Sequence, residues 1–174
     1  EYDGVHRGHR TVVSEMHRMA AERGCATAVV TFDRHPATIV RPESAPLLLC
    51  DLEHKLELLS ETGVDYTVVV EFSKEQSEVP AEAFAKQVLV NCLQARAVVV
   101  GADFHFGKGR KGDVQTLREV GQNHDFEVVG LPLVKQITGD GEVISSTSIR
   151  RALSNGDVEK AHRLLGRPFE VRGV

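Results

Sequence analysis

Asp3-Gly4-Val5-His6-Arg7-Gly8-His9 is the stretch around which the other segments of the chain fall into order. Two histidines stand three positions apart with a glycine between them, and a helix follows at once. Val12, Val13, Met16, Met19 and Ala20 recur at helical spacing, and Gly24 is placed to end it. His9 then falls in the first turn of the helix and His6 in the loop entering it. Free backbone N–H groups and the positive end of the helix dipole point out of such a turn. Gly8 has no side chain to block a ligand, and Arg7 and Arg10 add charge. The stretch has the makings of a phosphate cradle. The same pair could also be solvated polar residues or metal ligands. A zinc site wants a third ligand and often a nearby Glu, as in His-Glu-x-x-His. None is adjacent here, and phosphate is the favoured ligand.

A chain of 174 residues suits one α/β domain with a well-buried core. Its hydrophobic share of 41% and charged share of 26% are those of a soluble globular protein. A net charge of −4 disfavours nucleic acid and membrane surfaces as partners. Basic residues do cluster locally, at Arg7 and Arg10, at Lys108, Arg110 and Lys111, and at Arg150 and Arg151. That pattern fits a small anionic ligand better than a long polyanion. Cys25, Cys50 and Cys92 are odd in number and lack metal-like spacing, which predicts reduced thiols in a cytoplasmic protein. No apolar run is long enough to span a bilayer and no signal peptide is visible.

Four Val-rich runs predict strands: Ala26–Phe32, Tyr66–Glu71, Ala97–Gly101 and Phe126–Leu131. They are continuous rather than alternating, the pattern of parallel strands covered on both faces. Helical patterns lie between them, over Asp51–Thr62, Pro80–Asn91 and Asp113–Gln122. Two more follow, one from about Ser146 to Gly156 and one from Asp157 to Gly166. A less regular segment from Leu133 to Val143 holds a possible hairpin around Gly139–Gly141. The alternation predicts βαβ units in a Rossmann-like, doubly wound parallel sheet. A helix-start phosphate site normally follows a strand. Here the loop comes almost at once after Glu1, so a first strand is expected to be missing from the chain.

Ligands of such sheets bind at the carboxyl ends of the strands. There the chain carries Asp33-Arg34-His35-Pro36, then Asp103-Phe104-His105-Phe106, and later Ser145-Ser146-Thr147-Ser148-Ile149-Arg150. Gly107-x-Gly109-x-x-Gly112 matches the dinucleotide fingerprint, yet five residues separate Gly101 from Gly107 and no carboxylate ends the next strand. It reads instead as a basic loop over a ligand, with a plain solvated loop as the alternative.

Asp3-Gly4-Val5-His6-Arg7-Gly8-His9 resembles the His-x-Gly-His motif of the nucleotidyltransferase superfamily. More narrowly, it is similar to the Phe-Asp-Gly-Val-His-x-Gly-His form of prokaryotic FAD synthetases, with Tyr2 at the Phe position. Thr31-Phe32-Asp33-Arg34-His35-Pro36 resembles that family's flavin loop, with Arg34 where proline is usual. Val100 to Gly107 and Ile144 to Arg150 resemble two further motifs of the family. Leu165-Gly166-Arg167-Pro168-Phe169 resembles the junction to a riboflavin kinase domain. The resemblance therefore divides the chain into an adenylyltransferase domain over residues 1–165 and the junction over 166–174. The family's central first strand and its kinase domain are not seen in this sequence.

The resemblance implies FMN + ATP → FAD + pyrophosphate, catalysed by positioning and charge stabilisation. It implies His6, His9 and Arg150 as catalytic groups. ATP would be bound by Asp3, Gly4, His6, Gly8, His9, Asp103, Ser146, Thr147 and Arg150. Phe32, His35, Pro36 and Phe106 would line the flavin site, with ordinary core packing as the other role open to both phenylalanines. Mg²⁺ is expected with ATP, held mainly by phosphates and water. ATP and FMN are the partners implied, with the riboflavin kinase domain in cis. The alternatives are another His-x-Gly-His adenylyl- or cytidylyltransferase, or a flavin- or nucleotide-binding module without catalysis.

Overall fold

The computed structural model describes residues 2–134 and 141–172. Helix α1 spans Arg7–Arg23 and ends on Gly24 in the left-handed conformation (φ 62°). Strand β1 is Ala28–Phe32, followed by a short helix α2, Ala37–Val40. Helix α3, Leu52–Ser60, is capped by the Asp51 side chain, which accepts from His54 N–H. Strand β2 is Tyr66–Val70, and α4 is Lys74–Ser77. Helix α5, Ala81–Ala85, starts after Pro80 and runs on into a wider turn of π type over Lys86–Cys92. Strand β3 is Ala97–Gly101. Helix α6, Val114–His124, is held by a capping box between Asp113 and Thr116. Strand β4 is Glu127–Leu131. Helices α7, Ser146–Ser154, and α8, Val158–Leu165, finish the order. The four strands and the six longer helices all fall where the sequence pattern puts them. The predicted hairpin around Gly139–Gly141 falls largely on residues outside those described.

The strands do not form one ladder. β1 lies parallel to β2, with Ala28 opposite Tyr66 and Phe32 opposite Val70. β3 lies parallel to β4, with Ala97 opposite Glu127 and Gly101 opposite Leu131. No ladder joins the two pairs among the described residues. A helix ties them instead. α1 packs on β3 and carries Val13 into a cluster with Val29 of β1, Val5, Leu58 and Leu59. Cover on both faces is also less than the Val runs predict. Tyr66 and Val69 of β2 are exposed, and β3 is half-buried along its length.

Three apolar clusters hold the elements. The first is the one just described. The second packs α5 and α6 on β3 and β4 through Ala85, Phe106, Leu117, Val120 and Phe126. The third packs α7 on α8 through Ile149, Ala152, Ala161, Leu164 and Leu165, and takes in Leu49 and Ile144. Leu49 and Val5 belong to neighbouring clusters, so the loop bearing Asp3 and His6 is set between two cores.

Gly107 and Gly112 of the Gly107-x-Gly109-x-x-Gly112 loop serve close approach to α5. A Cβ at Gly107 would lie 2.4 Å from Ala81 Cα, and one at Gly112 would lie 2.3 Å from Ala81 Cβ. Lys108 N–H donates to Val79 O at 2.8 Å, and Lys108 pairs with Glu78 at 2.6 Å. The loop predicted to lie over a ligand is thus pinned to the start of α5.

Candidate active site

The starts of α1 and α7 meet at Asp3. The Ser146 hydroxyl donates to Asp3 O at 2.9 Å, and the Arg150 guanidinium pairs with the Asp3 carboxylate. Two helix N-termini, each with first-turn N–H groups that have no intrahelical acceptor, therefore converge on one loop. At α7 the cap is Ser145, whose hydroxyl accepts from Ser148 N–H in a reciprocal capping box. This frees Ser146 from capping and leaves its hydroxyl for the loop. Thr147 is exposed in the first turn.

At α1 the cap is His6. Its Nδ1 accepts from His9 N–H at 3.4 Å, and the two rings stack with centroids 3.7 Å apart. Tyr2 closes the other side of His9, its ring centroid 4.9 Å away. Gly8 does more than leave room for a ligand. A Cβ there would come within 3.1 Å of the His6 ring and 3.3 Å of Ile144 O. The bare position lets the segment before α7 lie against the histidine.

His6 is 5% exposed, and its pKa is lowered from the ordinary histidine value to about 4. Burial is the main cause, and the positive charges of Arg150 and Arg167 act in the same direction. His6 is therefore neutral near pH 7. With Nδ1 accepting, its proton is assigned to Nε2 from the hydrogen bond. Burial likewise keeps Tyr2 a phenol, with its pKa raised to about 12.

The depressed His6 pKa has a consequence for stability. Between pH 6.5 and about 4 the unfolded chain carries a proton on this histidine that the folded chain does not. Stability should rise with pH across that window and level off above it. The shift corresponds to about 3 kcal/mol across the full window. Urea unfolding at pH 4.5 and 7 measures it, and His6→Gln should remove most of the difference between the two. Equal pH slopes for both proteins would show that His6 is not buried neutral.

Asp3 is 6% exposed and is saturated by protein groups rather than open to a ligand. Its carboxylate accepts from Leu49 N–H at 3.0 Å and Cys50 N–H at 3.3 Å, and takes Arg150. Arg150 also donates through Nε to Leu47 O at 2.7 Å. Gly4 N–H donates to Cys50 Sγ at 3.2 Å, and burial raises that thiol's pKa to about 11. Asp3 and Arg150 together pin residues 47–50 against the loop. Arg151, by contrast, turns outward and pairs with Glu142.

Phe32, His35 and Asp33 share a narrow cleft with Asp3, Cys50 and Lys55 at the end of β1. Lys55 Nζ donates to Phe32 O at 2.7 Å. His35 Nδ1 accepts from Ala37 N–H at 3.1 Å, and Pro36 leads into α2. Arg34 pairs with the adjacent Asp33 at 2.7 Å, while Asp33 also accepts from Phe72 N–H at 2.8 Å. Phe32 packs edge-on to Phe72 at 4.9 Å and lies 6.1 Å from Phe84, which lies 6.2 Å from Phe106. Phe106 itself is 8% exposed and sits in the α5–α6 core. Asp103 is exposed after β3, where its carbonyl oxygen lies 2.8 Å from His105 Nδ1.

The structure thus gathers Asp3, Gly4, His6, Gly8, His9, Ser146, Thr147 and Arg150 at one place and the Phe32 loop beside it. The sequence does not single out Lys55 and marks Cys50 only as a reduced thiol, because the roles of both depend on contacts made across the fold. It also marks Arg167 only as part of a junction. Arg167 donates to Gly4 O at 2.8 Å and to Val5 O at 3.4 Å.

A family model described as FAD synthetase matches residues 1–148. The bifunctional riboflavin kinase/FMN adenylyltransferase of Escherichia coli strain K12 is 34% identical over 172 residues, covering 99% of this chain and 54% of that protein. The protein of the same description from Listeria monocytogenes is 37% identical over 174 residues, again covering 99% of this chain and 54% of that one. That from Pseudomonas fluorescens is 37% identical over 172 residues with the same coverage, 99% and 54%. The chain spans about half the length of the curated relatives it matches. A crystal structure described as a macrolide-efflux protein from Streptococcus pneumoniae superposes with a TM-score of 0.81 at 27% identity, covering 97% of this chain and 54% of that one. The Rossmann-like α/β class read from the sequence is borne out. Among the described residues no helix is long and apolar enough to cross a membrane.

Proposed function

Because the chain belongs to the FAD synthetase family, we propose that it transfers the AMP group of ATP to FMN, giving FAD and pyrophosphate. The observation that carries this is the meeting of two helix N-termini around the stacked His6 and His9 rings, with Arg150 beside them. An FMN phosphate oxygen attacks the α-phosphorus of ATP, the bond to the bridging oxygen breaks, and pyrophosphate leaves. No covalent bond to the protein is needed. Catalysis is positioning and stabilisation of the charge that builds on the phosphates.

The roles follow from the placement. His6, neutral, donates from Nε2 to a phosphate oxygen. His9 contacts the charge that develops at the α-phosphate. The N–H groups of Gly8 and His9 at α1, and of Ser146 and Thr147 at α7, offer dipole-assisted donors. The Ser146 hydroxyl is already given to Asp3 O, so only its N–H faces phosphate. Arg150 uses two nitrogens on Leu47 and Asp3, which leaves the third for an anion. Asp3 and Gly4 act through this scaffold. Phe32, His35 and Pro36 form the flavin side, continued through Phe84 to Phe106, with Asp103, beyond β3, near the nucleotides. Mg²⁺ accompanies ATP. It keeps its waters and takes phosphate oxygens, and among the described residues no three His, Cys, Asp or Glu side chains converge as a metal site. No residue of this chain is therefore assigned to it. We read residues 166–174 as the lead into a riboflavin kinase domain in cis, the cytoplasm as the setting, and neither nucleic acid nor membrane as a partner.

The test is to mix the protein with FMN, ATP and Mg²⁺ and to follow FAD by chromatography together with pyrophosphate release. FAD and pyrophosphate in equal amounts are expected. Quenching of FMN fluorescence without pyrophosphate would mean a binding module. Turnover with pantetheine phosphate or nicotinate mononucleotide in place of FMN would move the activity to another adenylyltransferase.

A further inference from the structure

Two consecutive residues before His6 are held in left-handed backbone. Gly4 has φ 77°, as glycine allows, but Val5 has φ 36°. A β-branched residue with positive φ is an outlier. Such a conformation persists only where its surroundings over-determine it. The turn matters because it sets where His6, the cap of α1, presents its ring.

Part of the restraint is local. Val5 N–H donates to Tyr2 O at 3.1 Å, the Val5 side chain is fully buried, and Gly4 N–H goes to Cys50 Sγ. Gly4 and Val5 are buried, and a buried carbonyl needs a donor. Arg167 supplies it to both, at 2.8 Å for Gly4 O and 3.4 Å for Val5 O. Its planar fork suits two neighbouring oxygens, which a single ammonium cannot bridge as well. Arg167 is itself aimed. Gly166 ends α8 in the left-handed conformation (φ 82°) and turns the chain back towards α1. Beyond it, Phe169 packs against the α7–α8 core, Glu170 faces His54 at 3.6 Å, and Arg172 pairs with Glu57 at 2.7 Å. Arg7 adds a bond to Arg163 O at 3.4 Å. The segment after α8 is a strap across the loop.

We propose that Arg167 is a positioning residue for the phosphate loop: it holds the Gly4 and Val5 carbonyls and so fixes the strained turn that presents His6. The proposal rests on the assignment of this loop to ATP in the preceding subsection. Arg167 touches no substrate and acts through the backbone.

Arg167→Ala and Arg167→Lys, made in the full chain, test it in two ways. The first is steady-state FAD formation. Arg167→Ala should lose about ten- to a hundredfold in kcat, with a smaller change in KM for ATP, because a misplaced group costs most at the transition state. Arg167→Lys, which can reach one carbonyl, should recover part of the loss. The second is the His6 titration by NMR, assigned by comparison with His6→Gln. Its midpoint should move up from about 4 as the ring gains water and loses a neighbouring positive charge. Wild-type kcat together with an unmoved His6 titration in both variants would overturn the proposal. A uniform fall in melting temperature with kcat per folded molecule and titration unchanged would overturn it too, since the strap would then be structural only. If the wild-type protein makes no FAD, the assignment of the loop to ATP fails separately, and the His6 titration alone decides whether Arg167 sets the turn.

Discussion

His9→Ala is expected to leave the chain folded and to lower kcat by about 10²–10³ fold, the loss seen when one donor to developing charge is removed. His9 stands in the first turn of α1, half-buried between Tyr2 and His6. Truncation removes two ring contacts, the stacked one with His6 and the tilted one with Tyr2, each worth about 0.5–1.5 kcal/mol, and alanine returns part of that as helix propensity. The His6 cap survives, because the bond it accepts comes from the backbone of residue 9 and not from its side chain. The melting temperature should therefore move little while turnover collapses. Steady-state kinetics separate the two roles open to the ring. A fall in kcat with KM for ATP nearly unchanged means that His9 stabilises the transition state. An unchanged kcat with a raised KM would mean that it only binds.

Arg150 should give two different results with two substitutions. Arg150→Ala leaves the buried Asp3 carboxylate without its counter-charge, which costs about 3–5 kcal/mol. For a chain of this size that is a fall in melting temperature on the order of 10 °C. Arg150→Lys keeps the charge, and so most of the stability, but a point charge cannot hold Asp3 and Leu47 O and still offer a donor to phosphate. A kcat loss of roughly tenfold to a thousandfold is expected. Arg151→Lys is the control. That side chain pairs with Glu142 at the surface and is 64% exposed, and its variant should turn over like wild type. If Arg150→Lys matched Arg151→Lys in kcat, Arg150 would be left with the structural role alone, as the counter-ion of Asp3.

The contrast between these two arginines shows what could be read before the fold was known. Ile149 and Leu153, four positions apart, mark one face of a helix, and at about 100° per residue Arg151 falls opposite that face while Arg150 flanks it. That inference needed only helical periodicity. The strands were legible for a similar reason: a continuous run of Val between helical patterns has few other uses. Caps at Asp51, Asp113 and Asp157 and stops at Gly24 and Gly166 were legible because each satisfies a local backbone demand. Asp3 was not legible in its actual part. A carboxylate in a phosphate-binding motif invites a ligand, whereas here three donors from residues far along the chain already occupy it. The family resemblance implies Phe106 as a flavin contact, with core packing as the alternative, and the packing of α5 on α6 places it in the core. Gly107 and Gly112 resembled phosphate-binding glycines because close backbone approach leaves the same mark in a sequence whether the neighbour is a ligand or, as here, Ala81.

The bonds from Arg150 to Asp3 and from Arg167 to Gly4 span 147 and 163 positions of the chain. A ribosome makes residues 3–9 well before either arginine, yet the carboxylate cannot find its partner until residue 150 has cleared the exit tunnel, nor the carbonyls theirs until residue 167 has done so. Pairings so distant in sequence form late, since the intervening chain must be ordered before its ends can meet. The nascent loop therefore waits, its strained turn unsupported, through the synthesis of almost everything else described here. A chain stalled before α8 should hold a folded β3–α6–β4 layer and no organised nucleotide loop, so that nucleotide affinity would be gained only once α8 and Arg167 have been made.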